Sequence, residues 1–242
     1  MSIWGSLIGG FVGFSFAGPI GALVGSIIGG KISSSSKKSS FKHRFAPPPQ
    51  QVFAVSLIIL SAKLTKADGH VSKEELVAVK NKLKIPDNEV QQVSKIFNKA
   101  KQDTLGYEPY AKQIHQIYKH DPAVLDEVIN ILFYIAEADG NVSNSESIMI
   151  ENIAKIFKMN KSQFEGIKES RKSSDKQNPY IVLGCNSSDN LESIREKYLQ
   201  LSKEHHPDIL INKGVPNEVI EESKKKMRAI NSAYDQIKKM KS

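Results

Sequence analysis

The residues best suited to chemistry lie near the C-terminal end, in the stretch EHHPD, where His205, His206 and Asp208 surround Pro207. A histidine beside a carboxylate could act as an acid–base pair, but a general base also needs an orienting partner and a substrate pocket. A metal site would need third and fourth ligands, and only His205 is near. The other interpretations are a simple turn and a loop presented to another protein. We expect no catalytic residues here and favour the presented loop.

A second set of candidate side chains comes from an internal repeat. The stretch ADGHVSKEE at 67–75 recurs as ADGNVSNSE at 138–146, and each copy follows a strongly apolar segment. Four carboxylates of the repeat could converge on Ca²⁺ or Mg²⁺, which prefer oxygen ligands, although neither copy has the spacing of an EF-hand loop. These candidate metal ligands are Asp68, Glu75, Asp139 and Glu146.

The same repeat has a structural explanation. An Asp-Gly pair favours a turn, because Gly69 and Gly140 can adopt a positive φ. The serine and glutamate that follow are spaced as in a capping box, which starts a helix. We therefore expect a mainly structural repeat, with a divalent metal in this region as the alternative and no other cofactor. The two capping boxes would be Ser72 with Glu75 and Ser143 with Glu146.

Composition and charge exclude several classes of protein. The single cysteine, Cys185, excludes a disulfide framework and a multi-cysteine zinc site, and it fits a reducing compartment. The net charge is +8, and the densest unbalanced part is 31–50, which has five Lys or Arg and no acid. A nucleic-acid-binding protein usually clusters its basic residues on a folded face, so we expect no nucleic-acid partner.

The first 30 residues contain no Lys, Arg, Asp or Glu. A helix needs about 20 apolar residues to cross a bilayer, so we predict a glycine-rich transmembrane segment at 1–32. Small residues recur at four-residue spacing, which is typical of close helix–helix packing in membranes and favours self-association into a homodimer. A glycine-rich hairpin that turns at Gly18–Pro19 is the alternative to one kinked span. The small-residue positions are Gly5, Gly9, Gly13, Ala17, Gly21, Gly25 and Gly29.

The positive charge after this segment predicts its orientation. Five Lys and Arg residues follow directly, and such residues stay on the cytoplasmic side of a membrane. We therefore expect a single-pass protein of the cell inner membrane, with its N-terminus outside and the bulk of the chain cytoplasmic. Residues 33–50, rich in Ser, Lys and Pro, are predicted to be a linker that ends in a stiff proline run.

The rest of the chain is predicted to be all-α, in two domains at 51–170 and 179–242 with a polar linker at 171–178. In the first domain two long segments are apolar nearly all round, as buried helices are, and others are amphipathic. One amphipathic face would carry Tyr110, Ile114 and Ile117. In the second domain a helix capped by Ser187 or Ser188 and a last helix would pack as a hairpin, with the His-Pro-Asp triplet at its tip.

Residues 51–170 resemble the TerB-like helical domain of tellurite-resistance proteins. The resemblance depends on two buried helices, each of which ends in A-D-G-x-V-S-x-x-E. It implies a helical bundle more than an activity, because members of that family are linked both to metal binding and to scaffolding.

Residues 179–242 resemble a J-domain. The match combines YIVLGC, IREKYLQLSKEHHPD and INSAY, each at the offset typical of that family. The resemblance implies a helical hairpin whose core is formed by Tyr180, Leu183, Ile194, Tyr198, Leu201, Ile230, Ala233 and Tyr234.

The J-domain resemblance also implies a mechanism, in which the domain docks on a DnaK-type heat-shock chaperone and triggers its ATP hydrolysis. His206, Pro207 and Asp208 would form the triggering contact, with Arg195, Lys197 and Lys203 as the basic surface that meets an acidic patch on the chaperone. The chain departs from the family at Glu196, Leu199 and Gln200, where many relatives have basic residues, and at Ile209, where Lys or Arg is common.

The order of the three segments resembles the bacterial DjlA-type membrane-anchored co-chaperone. That resemblance implies a membrane-anchored co-chaperone, not an enzyme, with a DnaK-type partner. Two alternatives differ in the role of the last domain: a metal- or stress-sensing scaffold with a J-like docking arm, and an import-motor-like protein that recruits the chaperone to a translocation pore.

Overall fold

The computed structural model describes residues 18–29, 48–67, 73–138, 140, 142–172, 177–217 and 220–241. Every long regular element in these ranges is a helix, which confirms the all-α prediction. In chain order the helices are α1 Gly18–Gly29, α2 Pro49–Leu64, α3 Lys73–Lys82, α4 Val90–Gln102, α5 Glu108–Tyr118, α6 Pro122–Ala136, α7 Asn144–Ile156, α8 Lys161–Ser170, α9 Pro179–Leu183, α10 Leu191–Glu204, α11 Pro207–Asn212 and α12 Ile220–Lys241.

The middle domain, α2 to α8, is built around two buried helices. Each starts with a proline in its first turn, Pro49 in α2 and Pro122 in α6, where the missing N–H costs no helical hydrogen bond. All residues of α2 from Gln51 to Leu64 are buried, and α6 packs directly against α2. Helices α3, α4, α5 and α7 surround this pair, and α4, α5 and α7 bury only one face each.

The face predicted for α5 is partly wrong. Tyr110 and Ile114 are buried, but Ile117 is 44% exposed. Tyr118 takes the buried position instead, and its hydroxyl donates a hydrogen bond to the carbonyl of Pro49 at 2.9 Å. Ile117 and Tyr118 lie three and four residues after Ile114, and both spacings place a residue on the same face of a helix. The aromatic ring of Tyr118 fills more of the core.

Helix α1, in the N-terminal segment, lies on α4 and α5. Its inward face is apolar, with Ile20, Leu23 and Val24 buried, and the Ile20 N–H donates to Gln113 Oε1 at 2.9 Å. None of the helices in the described ranges is both long enough and apolar enough to cross a bilayer.

The C-terminal domain is a hairpin of α10 and α12 with the short helix α9 against both. Its core is a separate apolar cluster, in which the rings of Tyr198 and Tyr234 stack with centroids 4.2 Å apart. Helix α10 is capped by Asn190, whose side chain accepts from the Ser193 N–H, so the predicted serine cap is wrong. In the loop 186–190 before α10, the Asp189 carboxylate accepts a hydrogen bond from the Asn186 N–H.

The two folded domains share a continuous interface. Helix α9 packs on α8, where a side chain in place of Gly166 would come within 3.2 Å of the Ile181 carbonyl, and α12 packs on α6 and α8. Beyond the hairpin tip, Leu210, Val215 and Ile220 are buried in the apolar cluster of the middle domain. The chain after His206 therefore returns to the middle domain before α12 begins.

Candidate functional site

The His-Pro-Asp triplet lies at the junction of α10 and α11. His206 is the N-cap of α11, and its Nδ1 accepts a hydrogen bond from the Asp208 N–H at 3.3 Å. A neutral imidazole that accepts through Nδ1 carries its proton on Nε2. Pro207 occupies the first helical position, which fixes its φ and starts α11.

The triplet is open to solvent. The His206 side chain is 53% exposed and the Asp208 side chain 81% exposed, with His206 Nδ1 and Asp208 Oδ2 3.9 Å apart. An exposed pair without an orienting partner is poorly suited to general acid–base catalysis. It is well placed, however, to offer an N–H donor and a carboxylate to a protein surface.

The predicted basic surface on α10 is uneven. Arg195 and Lys203 are exposed, whereas Lys197 is half-buried and lines a cleft between the two domains. The departures from the family pattern lie on the same exposed surface. Leu199 is 53% exposed, Glu196 is exposed, and Gln200 donates a hydrogen bond to the carboxylate of Glu204 at 2.9 Å. Ile209, beyond the triplet, is half-buried.

The residues predicted for the core of the hairpin all lie in or against its apolar cluster. Four are buried and four pack against the cluster with part of their surface exposed. The buried ones are Leu183, Ile194, Ile230 and Ala233, and the partly exposed ones are Tyr180, Tyr198, Leu201 and Tyr234.

A buried ion cluster lies directly behind the triplet. It consists of Asp126 on α6, His205 at the end of α10 and Lys226 on α12. Asp126 Oδ2 is 3.0 Å from Lys226 Nζ and 3.3 Å from His205 Nε2. The Asp126 and Lys226 side chains are each 8% exposed and His205 is 1% exposed, so the cluster is shielded from water.

The protonation states in the cluster follow from this burial. Burial opposes ionisation of Asp126, but the Lys226 ammonium and His205 outweigh it and hold the pKa of this carboxyl at about 2. Burial and the neighbouring Lys226 lower the pKa of His205, more than Asp126 raises it. The stable arrangement is therefore a carboxylate paired with an ammonium, beside a neutral imidazole.

Sequence reasoning missed Asp126 and Lys226. A signal was present for Asp126, because it stands in VLDEVINILF, a segment that is otherwise apolar nearly all round. A charged residue in a fully buried helix needs a partner. The identity of that partner, 100 residues along the chain, follows from how α12 packs on α6.

Of the four predicted metal ligands, Glu146 is the one whose side chain the structure describes, since Asp68, the Glu75 side chain and Asp139 lie outside the described residues. Glu146 belongs to a capping box: its Oε2 accepts from the Ser143 N–H at 2.9 Å, and Ser143 Oγ accepts from the Glu146 N–H. This confirms the capping box at the second repeat, and Gly140 has the predicted positive φ. Nowhere in the described ranges do three or more His, Cys, Asp or Glu side chains cluster as a metal site would require.

Of the small N-terminal residues, those at 1–17 lie outside the described residues. Gly25 is exposed and Gly21 half-buried on α1, and Gly29 ends that helix. The surface of α1 that faces away from the middle domain therefore carries small residues.

Comparison with protein families gives three matches in chain order. Residues 1–37 match the model of the co-chaperone DjlA transmembrane domain. Residues 54–169 match tellurite resistance protein TerB, and residues 178–242 match the DnaJ domain.

Curated relatives match along nearly the whole chain. The chain is 28% identical to a protein of Coxiella burnetii named Co-chaperone protein DjlA, over 98% of both chains. Proteins of the same name from Photobacterium profundum and Yersinia pestis are 24% and 26% identical, over at least 99% of each chain. No solved structure matches.

Proposed function

We propose that this chain, a DjlA-type J-domain protein with a TerB-like middle domain, is a co-chaperone that binds a DnaK-type heat-shock chaperone and stimulates its ATP hydrolysis. The observation that carries the proposal is the exposed His206 and Asp208 pair, held at the start of α11 by Pro207. The chain does no chemistry itself in this mechanism.

The exposed atoms of the triplet supply the triggering contact. His206 offers its Nε2 proton as a donor, and Asp208 offers a carboxylate as an acceptor. Because Pro207 and the hydrogen bond to His206 Nδ1 restrict this turn, little conformational entropy is lost when the chaperone binds.

The exposed cations of α10 supply orientation. Arg195 and Lys203 present positive charge on the helix that leads into the triplet. Charges at the rim of an interface mainly raise the rate of encounter and fix its register. With Lys197 half-buried and Glu196 nearby, this steering is weaker than a continuous basic surface would give.

The N-terminal segment is proposed to anchor the chain in the cell inner membrane, as the family match at 1–37 supports. Our proposal has a single pass, with the N-terminus outside and the two folded domains cytoplasmic. Self-association through the glycine positions belongs to this proposal. Because α1 packs on α4 and α5 in the structure, insertion of 18–29 into the bilayer requires release of that contact.

The experiment that tests the co-chaperone function is single-turnover ATP hydrolysis by a DnaK-type chaperone, with the full-length chain added in detergent micelles. We expect stimulation by the wild type and its loss in His206→Gln. His206 is exposed, so this variant keeps its fold, which circular dichroism checks.

A matched control is His120→Gln, which changes an exposed histidine of the middle domain. It should stimulate as well as the wild type. Full stimulation by His206→Gln would overturn the proposed role of the triplet and leave the last domain as a docking arm of a scaffold.

A further inference from the structure

We propose that the middle domain positions the His-Pro-Asp triplet for the chaperone, and that Asp126 is the positioning residue that holds the base of the triplet through His205 and Lys226. This inference rests on the proposed function, because it concerns how the same triplet is presented. It assigns the middle domain a direct part in stimulation.

The chain is fixed to the middle domain on both sides of the triplet. His205, the residue directly before it, is 1% exposed and contacts Asp126. After it, Leu210 and Val215 are fully buried in the middle-domain cluster. The four residues 206–209 between two buried anchors have little freedom to move, so the orientation of His206 and Asp208 is set by the middle domain.

One carboxylate joins both arms of the hairpin to the middle domain. Asp126 Oδ2 accepts a hydrogen bond from Lys226 Nζ in the first half of α12 and lies 3.3 Å from His205 Nε2 at the end of α10, a contact that lacks hydrogen-bond geometry. Asp126 itself lies on α6, a helix buried along nearly its whole length. A rigid helix therefore sets the distance between the two arms at the point where the triplet emerges.

The close fit of the surrounding residues supports the same arrangement. Gly214 has a φ of +96°, and a Cβ there would lie 2.5 Å from the side chain of Pro49. At the edge of the interface, Lys213 Nζ forms an ion pair with Asp121 at 2.8 Å. The two domains thus meet through a buried ion cluster, an apolar contact and a partly exposed ion pair, all next to the segment that carries the triplet.

This arrangement restricts how a chaperone can approach. The side of α11 that carries Leu210 faces the middle domain and is covered. Arg195 and Lys203 are exposed on α10, the helix that leads into the exposed triplet, and in the proposed function they face the partner together with it. A triplet that turned away from α10 would no longer face the partner together with Arg195 and Lys203, even if the hairpin and the middle domain both remained folded.

The test compares Asp126→Asn with Asp121→Asn in the full-length chain. Both change a carboxylate on or next to α6 that pairs with a lysine of the C-terminal domain. Asp121 and Lys213 are each about one-third exposed, so their pair contributes little, whereas the Asp126 pair is buried. The measured quantities are the maximal stimulation of ATP hydrolysis and the concentration of the chain that gives half of it.

We expect Asp126→Asn to lower the maximal stimulation by about tenfold or more, because displacements of about 1 Å in a reacting geometry can cost about 100-fold. A variant that was only less folded would need a higher concentration but would reach the same maximum. Asp121→Asn should match the wild type. Asp126→Leu combined with Lys226→Met should restore most of the maximum, because it removes the unbalanced buried lysine and keeps the domains packed.

Hydrogen exchange of the backbone amides at 209–215 gives an independent measure. The amides of Leu210 and Val215 are hydrogen-bonded within α11 and its C-cap, and we expect slow exchange in the wild type and in Asp121→Asn. In Asp126→Asn exchange should accelerate by about tenfold or more, as expected when a local opening becomes less costly.

The outcomes separate the two proposals. Unchanged maximal stimulation and unchanged exchange in Asp126→Asn would overturn the positioning role, while the contrast between the wild type and His206→Gln would still support the co-chaperone function. Absence of stimulation by the wild type would refute the co-chaperone function, and fast exchange at 209–215 in that wild type would refute the positioning as well.

Discussion

Replacement of Gly214 by alanine tests whether the two folded domains pack as closely as the structure shows. Gly214 follows α11 with a φ of +96°, and the Val215 N–H returns to the Leu210 carbonyl at 2.9 Å, as in a helix C-cap. A Cβ at this position would lie 2.5 Å from the Pro49 side chain and 3.2 Å from the Pro49 carbonyl carbon. The substitution therefore meets both a backbone penalty and a steric clash across the domain interface.

The two contributions can be separated with a matched control. Gly140 has almost the same φ, +95°, but no heavy atom of the described residues lies within 4 Å of a Cβ added there. The backbone penalty for an L-residue at such a φ is about 1–2 kcal/mol and should appear in both variants. The clash, which adds about 1–3 kcal/mol as overpacking does, should appear only in Gly214→Ala.

The assay is urea unfolding of the full-length chain in detergent micelles, followed by far-ultraviolet circular dichroism. Gly214→Ala should lower the free energy of unfolding by about 2–5 kcal/mol, which is the backbone penalty plus the clash. Gly140→Ala should lower it by about 1–2 kcal/mol. Equal losses in the two variants would show that Gly214 is not packed against Pro49 and would refute a close domain interface at the triplet.

Three further results are expected. Ser143→Ala should lower the free energy of unfolding by about 1 kcal/mol, measured by urea unfolding, because it removes the cap of α7. Buried His205, which faces Lys226, Asp126 and Glu204, should contribute a loss of stability as pH drops below about 6.5, since its pKa is lowered and the unfolded chain binds a proton that the folded chain excludes. Glu127, whose pKa is raised to about 7, acts in the opposite direction over this range, so the His205 contribution is the difference between the wild type and His205→Gln. His205→Gln should remove this loss of stability at low pH, as measured by pH-jump unfolding. The same change of stability with pH in the wild type and in the variant would contradict the prediction. Arg195→Glu should raise the concentration for half-maximal stimulation most at low salt, with the maximum unchanged, because an exposed charge acts mainly on encounter.

Periodicity was sufficient to predict the helices but not every inward face. In α5 the spacing allowed either Ile117 or Tyr118 to complete the face with Ile114, and the structure buries Tyr118. The choice depends on where the aromatic hydroxyl finds an acceptor, which is the Pro49 carbonyl. That acceptor is 69 residues away, so a local pattern does not identify it.

The cap of α7 was predictable because, of Ser143, Asn144 and Ser145, only Ser143 has a Glu three residues later. Ser143 precedes α7 with Glu146 at the right spacing, and the capping box is present. Before α10 the stretch NSSDN offers several capping residues, and the structure uses Asn190. Asn190 supplies the cap because it directly precedes Leu191, the first residue with helical geometry.

The candidate site, too, could be predicted from the sequence only in part. A triplet with fixed spacing is visible in a single sequence, and the exposure of His206 and Asp208 agrees with its interpretation as a presented loop. The residues that orient the triplet are dispersed along the chain, and no local spacing connects Asp126 to Lys226.

Buried charges in an apolar helix are nevertheless a usable signal, because the cost of burying an unpaired carboxylate requires a cationic partner somewhere in the fold. Glu127, also buried on α6, has no hydrogen-bond partner for either carboxylate oxygen among the described residues. Burial therefore raises its pKa to about 7, and the nearby Lys82 and Lys226 limit that rise. Two adjacent acids in one buried helix therefore require basic residues from other elements, and one of these, Lys226, comes from the domain that carries the triplet.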